Sequence, residues 1–401
     1  MINNIIYLDN NASTRVDPKV VKAMNPYWSE LYGNPSSNSH ILSWKSEAAV
    51  DVARQQVANL VGAEKHEIFF TSGATEGNNM VIKCCGLKSK DHIITSSIEH
   101  KCVLEATYWM KTKKDVKVDF LKVDSKGQTS IDELISKITP ETKLISFMWV
   151  NNEIHTINNI EVIGKLCKKR NILFHVDAAQ AVGKMKVNVQ ALNIDFLTLS
   201  GHKYYAPNGI GALYIKGGVE NGKLFPLIHG GGQEKGMRSG TISVPLIVGL
   251  GEASRIAFEY IQNQVEIQRI NYLTTYLHDS ISNEISEIKL NGPLLTNRQL
   301  GGLSLSFPGI DAGELQFYIP EICFSRGSAC SSGSLDYSYV LKEIDLSVEE
   351  AIGTIRICVG RFNTETEIHL AATKISSAIK KLYSNKKNSI PNFKNQANEI
   401  F

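Results

Sequence analysis

The sequence has no Cys-x-x-Cys pair and no uninterrupted apolar run of the roughly 18–20 residues that a membrane span needs. Its seven cysteines are odd in number and lack framework spacing, which argues against a disulfide scaffold and against a structural zinc site. The first residues carry neither a basic segment nor a long apolar core, so we expect no secretory signal. These absences predict a cytoplasmic protein without a metal and without membrane contact.

A large excess of charge is also missing. The formal net charge is +3 over 401 residues, which is too small to indicate nucleic acid or an anionic membrane as the main partner. The hydrophobic fraction of 43% and the charged fraction of 21% are typical of a globular protein with a full core. The length predicts two or three domains, or one large domain with an appendage.

Short apolar, β-branched runs alternate with longer segments of helical periodicity through the first 260 residues. Strands are predicted at 67–71, 92–96, 116–121, 144–149, 173–176, 196–199 and 211–215. Helices are predicted at 46–60, 103–111, 131–138 and 161–169. Strands separated by helices of this length predict βαβ units and an α/β fold with a mainly parallel sheet.

The sequence patterns divide the chain into three predicted regions. Residues 15–260 are expected to form a large α/β domain. Residues 1–14 and 261–383, which include a long helical region and isolated strand-like runs, are expected to form a smaller α+β domain. Residues 384–401 are rich in Asn, Lys, Ser and Pro and are expected to form a flexible tail.

Small polar residues follow the first predicted strand and open a helix. Ala74 and Thr75 lie in this segment, where exposed backbone N–H groups and the helix dipole favour a phosphate. Thr75 adds a hydroxyl donor. An ordinary helix cap is the alternative interpretation.

Two further strands end in Asp177 and in Lys203. A carboxylate at the carboxyl end of a strand could pair with a ring nitrogen, although a helix N-cap is the commoner role of such an aspartate. A lysine in the same place could form a Schiff base with an aldehyde cofactor, although most lysines are solvated surface residues. The two together favour pyridoxal 5'-phosphate (PLP), because that cofactor needs both an amine and a pyridinium partner.

Three other residues are candidates for chemistry. His100 follows a strand and could stack on a flat cofactor and move protons, or serve only as a structural histidine. Cys330 lies in a stretch rich in Gly and Ser, where an exposed thiolate could act as a nucleophile or have no role. Arg356 lies in a strand-like run and would need an anion such as a substrate carboxylate.

Taken together, these segments resemble the cysteine desulfurases of the IscS/NifS type, group I, within the fold-type I PLP enzymes of the class-V aminotransferase family. The resemblance spans roughly residues 7–364. The blocks that carry it are Tyr-Leu-Asp-Asn-Asn-Ala from Tyr7, Gly-Asn-Pro-Ser-Ser from Gly33, Thr-Ser-Gly-Ala-Thr-Glu from Thr71, Glu-His-Lys from Glu99, Val-Asn-Asn-Glu from Val150, His-Val-Asp-Ala-Ala-Gln from His175, Ser-Gly-His-Lys from Ser200, Arg-Ser-Gly-Thr from Arg238, Gly-Ser-Ala-Cys from Gly327 and Ile-Arg from Ile355.

The resemblance implies a role for each matching residue. Lys203 would bind the cofactor aldehyde, Cys330 would receive sulfur as a persulfide, and His100 would stack on the ring. Asp177 would pair with the pyridine nitrogen and Gln180 would contact the phenolic oxygen. The residues expected around the phosphate are Ala74, Thr75, Ser200, His202 and, from a second subunit, Thr241. Asn152 would contact the cofactor or substrate, and Arg356 would bind the substrate carboxylate.

The implied activity is conversion of L-cysteine to L-alanine by a homodimer that passes sulfur to an acceptor protein, either an iron–sulfur scaffold or another sulfur carrier. A selenocysteine lyase, a PLP aminotransferase and a non-enzymatic sulfur-assembly scaffold are the alternatives. The chain departs from the pattern at His155 and Thr156, where relatives usually have Gly and Val, and in its C-terminal tail. The first departure could alter a turn, and the second leaves the partner open.

Overall fold

The structure is a computed structural model that describes residues 5–327 and 337–389. Its strands are β1 (Ile6–Tyr7), β2 (Ile68–Thr71), β3 (His92–Ser96), β4 (Lys117–Leu121), β5 (Thr142–Met148), β6 (Leu173–Asp177), β7 (Phe196–Ser200), β8 (Gly211–Ile215), β9 (Lys289–Leu290), β10 (Gly302–Ser306), β11 (Ile322–Cys323), β12 (Ser325–Arg326) and β13 (Thr354–Cys358). Its α-helices are α1 (Pro18–Met24), α2 (Pro26–Ser29), α3 (Ile41–Val61), α4 (Ala74–Cys84), α5 (Lys101–Lys114), α6 (Ile131–Lys137), α7 (Ile160–Arg170), α8 (Val244–Gln262), α9 (Gln264–Glu284), α10 (Ala312–Tyr318), α11 (Tyr339–Glu343), α12 (Val348–Ile352) and α13 (Glu365–Ser389).

A seven-stranded sheet forms the centre of the large core, with the order β2-β8-β7-β6-β5-β3-β4 among the described residues. β8 is antiparallel to both β2 and β7, whereas the other neighbouring strands are parallel. β3, β5 and β7 are almost entirely buried, as expected for a sheet covered by helices, whereas the edge strand β4 is partly exposed. The predicted α/β class with a mainly parallel sheet is confirmed.

Helix ends in this region follow from local side chains. α6 begins at Ser130, whose side chain accepts a hydrogen bond from the Glu133 N–H. α7 ends at Asn171, which adopts the left-handed conformation that asparagine tolerates better than most residues. α3 and α8 then pack together on one side of the sheet through small buried residues such as Ala53 and Ala253.

A second apolar core lies around α9, α13 and a four-stranded antiparallel sheet with the order β12-β13-β10-β9. The N-terminal segment joins it, because β1 pairs in parallel with β11. The two cores separate between α8 and α9, where Asn263 caps α9 by accepting hydrogen bonds from the N–H groups of Val265 and Glu266.

Helix α13 extends to Ser389, so residues 384–389 are helical where the sequence predicts the start of a flexible tail. The last turns are supported by contacts with the loop before α10. Tyr383 donates to the Pro308 carbonyl oxygen at 2.9 Å, and Lys386 donates to the Gly309 carbonyl oxygen. Residues 390–401 of the expected tail lie outside the described residues.

Candidate active site

A cavity of about 610 Å³ opens at the carboxyl ends of the central strands, where ligands bind in open α/β sheets. It brings together most of the residues singled out from the sequence. These are Ala74, Thr75, His100, Asn152, Asp177, Gln180, Ser200, His202, Lys203 and Arg356. Thr241 lies apart from the cavity on an exposed loop, and Cys330 lies outside the described residues.

Lys203 ends a short 3₁₀ turn, Gly201–Lys203, directly after β7. Its Nζ donates to the backbone carbonyl oxygens of Asn11 at 2.8 Å and of Ala12 at 2.9 Å. Burial, followed by the nearby cations Lys184 and Arg356, lowers the pKa of Lys203 to about 8. An amine with a depressed pKa is more readily available as a nucleophile near neutral pH.

Asp177 is the last residue of β6, so its carboxylate enters the cavity from the floor of the sheet. One oxygen accepts a hydrogen bond from the Asn78 side chain at 2.7 Å and the other accepts from the Ala179 N–H at 3.0 Å. These bonds fix the direction of the carboxylate. The arrangement suits a protonated ring nitrogen above it.

The N-terminus of α4 forms one end of the cavity. Gly73 occupies the N-cap position and offers no side chain, so no side-chain cap satisfies the first N–H groups of this helix. Gly211 is required nearby, because a Cβ at that position would lie 2.8 Å from the Cα of Gly73. The hydroxyls of Thr75 and Ser200 line the same end, which gives a site suited to a phosphate.

His202 lines the cavity beside this anion site. Its ring Nδ1 lies 3.2 Å from the Ser13 hydroxyl. Burial and the neighbouring Lys203 lower the pKa of His202 to about 4, so its imidazole is neutral at physiological pH. A neutral ring can still donate one N–H to a phosphate oxygen.

His100 caps α5 and projects into the cavity, where its side chain remains exposed. Desolvation by the surrounding protein lowers the pKa of His100 below its usual value, with Lys203 and Lys101 acting in the same direction. Its Nδ1 lies 3.0 Å from the Cys102 Sγ and accepts a hydrogen bond from the Cys102 N–H at 3.2 Å. The Nε2 side of the ring is therefore the side that can face a ligand.

Arg356 lies on β13 and closes the opposite side of the cavity. Its Nη2 donates to Asp9 Oδ1 at 2.9 Å and to the Ser325 hydroxyl at 2.7 Å. Its Nη1 donates to the Asn152 carbonyl oxygen at 3.2 Å. A guanidinium held in this way could still turn a donor edge towards a carboxylate.

Gln180 is held from below by the N-terminal segment. Its Nε2 donates to the Asn11 carbonyl oxygen at 2.9 Å, and its Oε1 accepts from Lys184 at 2.7 Å. Asn152 reaches the cavity through the turn that follows β5. The structure therefore supplies an amide on each side of the space above Asp177.

Sequence reasoning missed four residues that shape the site. Asp9 and Asn11 belong to the block beginning at Tyr7, which was matched as a motif without any role for its members. The sequence does not distinguish Cys102 from the other cysteines outside the Cys330 segment, yet Cys102 lines the cavity. Lys184 follows the Asp177 segment, but no feature of the sequence distinguishes it from a surface lysine.

The thiol of Cys102 lines this cavity. Burial raises the pKa of Cys102 to about 12, with Asp177 adding to the effect. Its sulfur accepts a hydrogen bond from the Asn78 side chain at 3.1 Å. Because the thiolate is the reactive form, Cys102 is a poor nucleophile at neutral pH.

With this geometry, the chain can be compared with known proteins. A family model described as aminotransferase class-V matches residues 6–370. The chain belongs to the class-V aminotransferase family. Membership in this family implies dependence on PLP.

Relatives in this family carry cysteine desulfurase names. The mitosomal cysteine desulfurase of Trachipleistophora hominis is 46% identical over 385 residues, covering 94% of this chain and 86% of that protein. Cysteine desulfurase IscS of Rickettsia prowazekii strain Madrid E is 46% identical over 380 residues, covering 94% and 92%. The predicted resemblance to the IscS/NifS type is confirmed.

Solved structures agree with the fold. A NifS-like protein superposes with a TM-score of 0.86 at 36% identity, covering 94% of this chain and all of that one. SspA in complex with cysteine superposes with a TM-score of 0.77 at 38% identity, covering 89% of this chain and 99% of that one.

Residues 5–327 and 337–389 offer neither a cluster of metal ligands nor a membrane-spanning helix. No group of three His, Cys, Asp or Glu side chains in these ranges could hold a metal ion. No helix there is both long and apolar enough to cross a membrane.

Proposed function

We propose that this class-V family member is a PLP-dependent cysteine desulfurase that converts L-cysteine to L-alanine and keeps the sulfur as a persulfide on Cys330. The observation that carries the proposal is the single cavity that joins the amine of Lys203, the carboxylate of Asp177, the ring of His100 and the guanidinium of Arg356. In a PLP enzyme that acts on an amino acid, an amine binds the cofactor, a carboxylate faces the ring nitrogen, a side chain stacks on the ring and a cation binds the substrate carboxylate. The four groups in this cavity are of those kinds.

The residues present fit PLP. The uncapped N-terminus of α4 offers backbone N–H donors at one end of the cavity, and Asp177 and Lys203 lie towards its floor. Thr75, Ser200 and His202 would hold the phosphate, Asp177 would face the ring nitrogen, and Gln180 would face the phenolic oxygen. When bound, the cofactor withdraws electrons from the α-carbon of the substrate.

Proton transfer is assigned to the amine of Lys203, which lines the cavity together with His100. The pKa of Lys203 is lowered to about 8, so a useful fraction of this amine is neutral at physiological pH and can accept a proton. The pKa of His100 is lowered, and because its Nδ1 accepts from the Cys102 N–H, the proton of the neutral ring lies on Nε2, which can donate a hydrogen bond to the substrate sulfur.

Substrate selection is assigned to Arg356. Asp9 and Ser325 hold one end of its guanidinium, so the group is oriented before the substrate arrives. Free cysteine carries the α-carboxylate that such a fork recognises.

The sulfur step uses Cys330. Its thiolate attacks the sulfur of the bound substrate, the carbon–sulfur electron pair returns to the substrate carbon, and that carbon takes up a proton to leave alanine. The described residues on either side of 328–336 support this assignment. Ser338 N–H donates to the Gly327 carbonyl oxygen at 2.9 Å, and Gly327 N–H donates to the Thr354 carbonyl oxygen at 2.8 Å, beside the strand that carries Arg356.

A homodimer would complete the phosphate site through Thr241. The segment before it presents Phe225, Leu227 and Ile228 to solvent, and Ile228 forms a β-bridge with Arg238. Exposed apolar side chains grouped in this way are typical of an interface. The persulfide would then pass to an iron–sulfur scaffold or to another sulfur carrier.

The experiment is a spectrum and an assay on the purified protein. We expect visible absorbance from a cofactor bound to Lys203, and formation of equal amounts of alanine and transferred sulfur from L-cysteine with a thiol reductant. Absence of the chromophore after incubation with PLP would refute the cofactor assignment. A chromophore without alanine formation would refute the desulfurase activity and favour another PLP reaction.

A further inference from the structure

The backbone carbonyl oxygen of Asn11 is the common support of two residues in the site. It accepts hydrogen bonds from Lys203 Nζ at 2.8 Å and from Gln180 Nε2 at 2.9 Å. The side chain of Asn11 points the other way and is fully buried. A contact that fixes the Asn11 side chain therefore also fixes the Asn11 carbonyl oxygen that accepts from the Lys203 amine.

Lys184 holds the Asn11 side chain on one side. Its Nζ donates to Asn11 Oδ1 at 2.8 Å and to Gln180 Oε1 at 2.7 Å. Both acceptors are neutral amide oxygens. Neither of these two hydrogen bonds pairs the ammonium with a carboxylate. Enclosing a cation in this way is costly, and such groups are concentrated at functional sites.

His155 holds Asn11 on the other side. Its Nδ1 lies 3.0 Å from Asn11 Nδ2, and its ring is fully buried. The residue adopts a φ of +64°, which a histidine rarely does. Space for the ring exists only because position 302 is glycine, since a Cβ there would lie 2.3 Å from His155 Nδ1.

These contacts fix the orientation of the Asn11 amide. The ammonium of Lys184 can only donate, so the atom facing it must be the amide oxygen. The amide NH₂ then faces His155, whose Nδ1 must act as the acceptor. The buried His155 ring therefore holds the Asn11 amide from the side opposite Lys184.

We propose that Lys184 is a positioning residue for the site. It holds the Asn11 side chain and the Gln180 amide by hydrogen bonds. His155 fixes the orientation in which the Asn11 amide oxygen faces Lys184. Through Asn11, Lys184 sets the position of the Lys203 amine, and through Gln180 it sets the amide that faces the phenolic oxygen of the cofactor. This role rests on the function proposed above.

The charge of Lys184 adds a measurable signature. The charged groups that act on Lys203 are the cations Lys184 and Arg356 and the anions Asp9 and Asp177. Among the cations, Lys184 has the larger effect in lowering the pKa of Lys203. Removing that one charge should therefore raise the pKa of the Lys203 amine.

The test uses the full-length apo-protein and two variants, Lys184→Met and, as the matched control, Lys186→Met at an exposed lysine two residues further on. Carbamylation of Lys203 by cyanate, followed across a pH series by mass spectrometry, gives the midpoint for the amine. Titration with PLP gives the cofactor affinity. For Lys184→Met we expect the midpoint to rise by roughly half a unit or more and PLP binding to weaken about tenfold. We expect no change in either for Lys186→Met.

A folded Lys184→Met protein with the wild-type midpoint and the wild-type PLP affinity would overturn the proposal. If that variant does not fold, Lys184→Gln, which removes the charge and keeps a donor, should still raise the midpoint while weakening PLP binding less. A Gln variant with an unchanged midpoint would also count against the role. Failure of the proposed function would be seen separately, as a wild-type protein that binds no PLP.

Discussion

Arg356 and Asp9 form an ion pair at 2.9 Å across the side of the cavity where a substrate carboxylate would enter. The two residues are separated by nearly the whole chain, and the parallel pairing of β1 with β11 brings the segment that follows β1 next to the small sheet. The Ser325 hydroxyl bridges them, because it donates to Asp9 Oδ2 at 2.8 Å and accepts from Arg356 Nη2 at 2.7 Å. Asp9 and Ser325 therefore fix the orientation of the Arg356 guanidinium at the wall of the cavity.

Replacing Asp9 by Asn keeps the shape of this side chain and removes its charge. We expect the KM for L-cysteine to rise about three- to tenfold, with a smaller effect on kcat, because Arg356 is less well oriented before binding. The PLP absorbance of the variant should match that of the wild type. A KM that is unchanged or lower would show that Asp9 does not orient Arg356 for the substrate.

The fit between His155 and Gly302 gives a prediction about stability. A Gly302→Ala substitution places a methyl group within 2.3 Å of the His155 ring, and we expect it to destabilise the protein by about 1–3 kcal/mol in urea unfolding. In a His155→Gly background the same substitution has room for the methyl group and should cost much less. Equal losses in the two backgrounds would contradict the packing described here.

Much of this architecture follows from sequence, and the part that does not has a physical reason. Strands such as β3 and β8 have the predicted bounds, since each is a short run with buried β-branched or aromatic residues at its centre. The resemblance located Asp177, Lys203 and Arg356 along the chain. The role of Lys184 could not be predicted, because it depends on the direction of the Asn11 amide. The space for the His155 ring likewise depends on Gly302, which lies at the start of β10.

Buried neutral histidines should make stability depend on pH. Burial lowers the pKa of His175 to about 4 from an ordinary 6.5, and the pKa of His155 is also lowered by burial. Between pH 4 and pH 6.5 the unfolded chain binds more protons at His175 than the folded chain does. The contribution of the neutral His175 ring to the free energy of unfolding is therefore complete above pH 6.5 and is lost as the pH falls towards 4. For His175 we expect a loss of about 1–2 kcal/mol on going to about pH 5.

Urea unfolding of the apo-protein over this range measures the effect. A His175→Asn variant, which can keep a hydrogen bond to Ser146, should show a shallower dependence on pH than the wild type. The exposed His66 provides the control, and His66→Gln should leave the dependence as it is. A wild-type stability that does not change between neutral pH and about pH 5 would contradict the assignment of neutral buried rings.

The central claim is that sulfur from cysteine is retained on Cys330, and mass spectrometry of the protein after a single exposure to L-cysteine tests it most directly. Cys102 is the competing thiol, since it lines the cavity. Because burial raises the pKa of Cys102 to about 12, we expect no added sulfur there. We predict one extra sulfur atom on the Cys330 peptide, its loss in Cys330→Ser with the cofactor spectrum retained, and its persistence in Cys102→Ser. Extra sulfur on Cys102, or undiminished sulfide release by Cys330→Ser, would contradict the account.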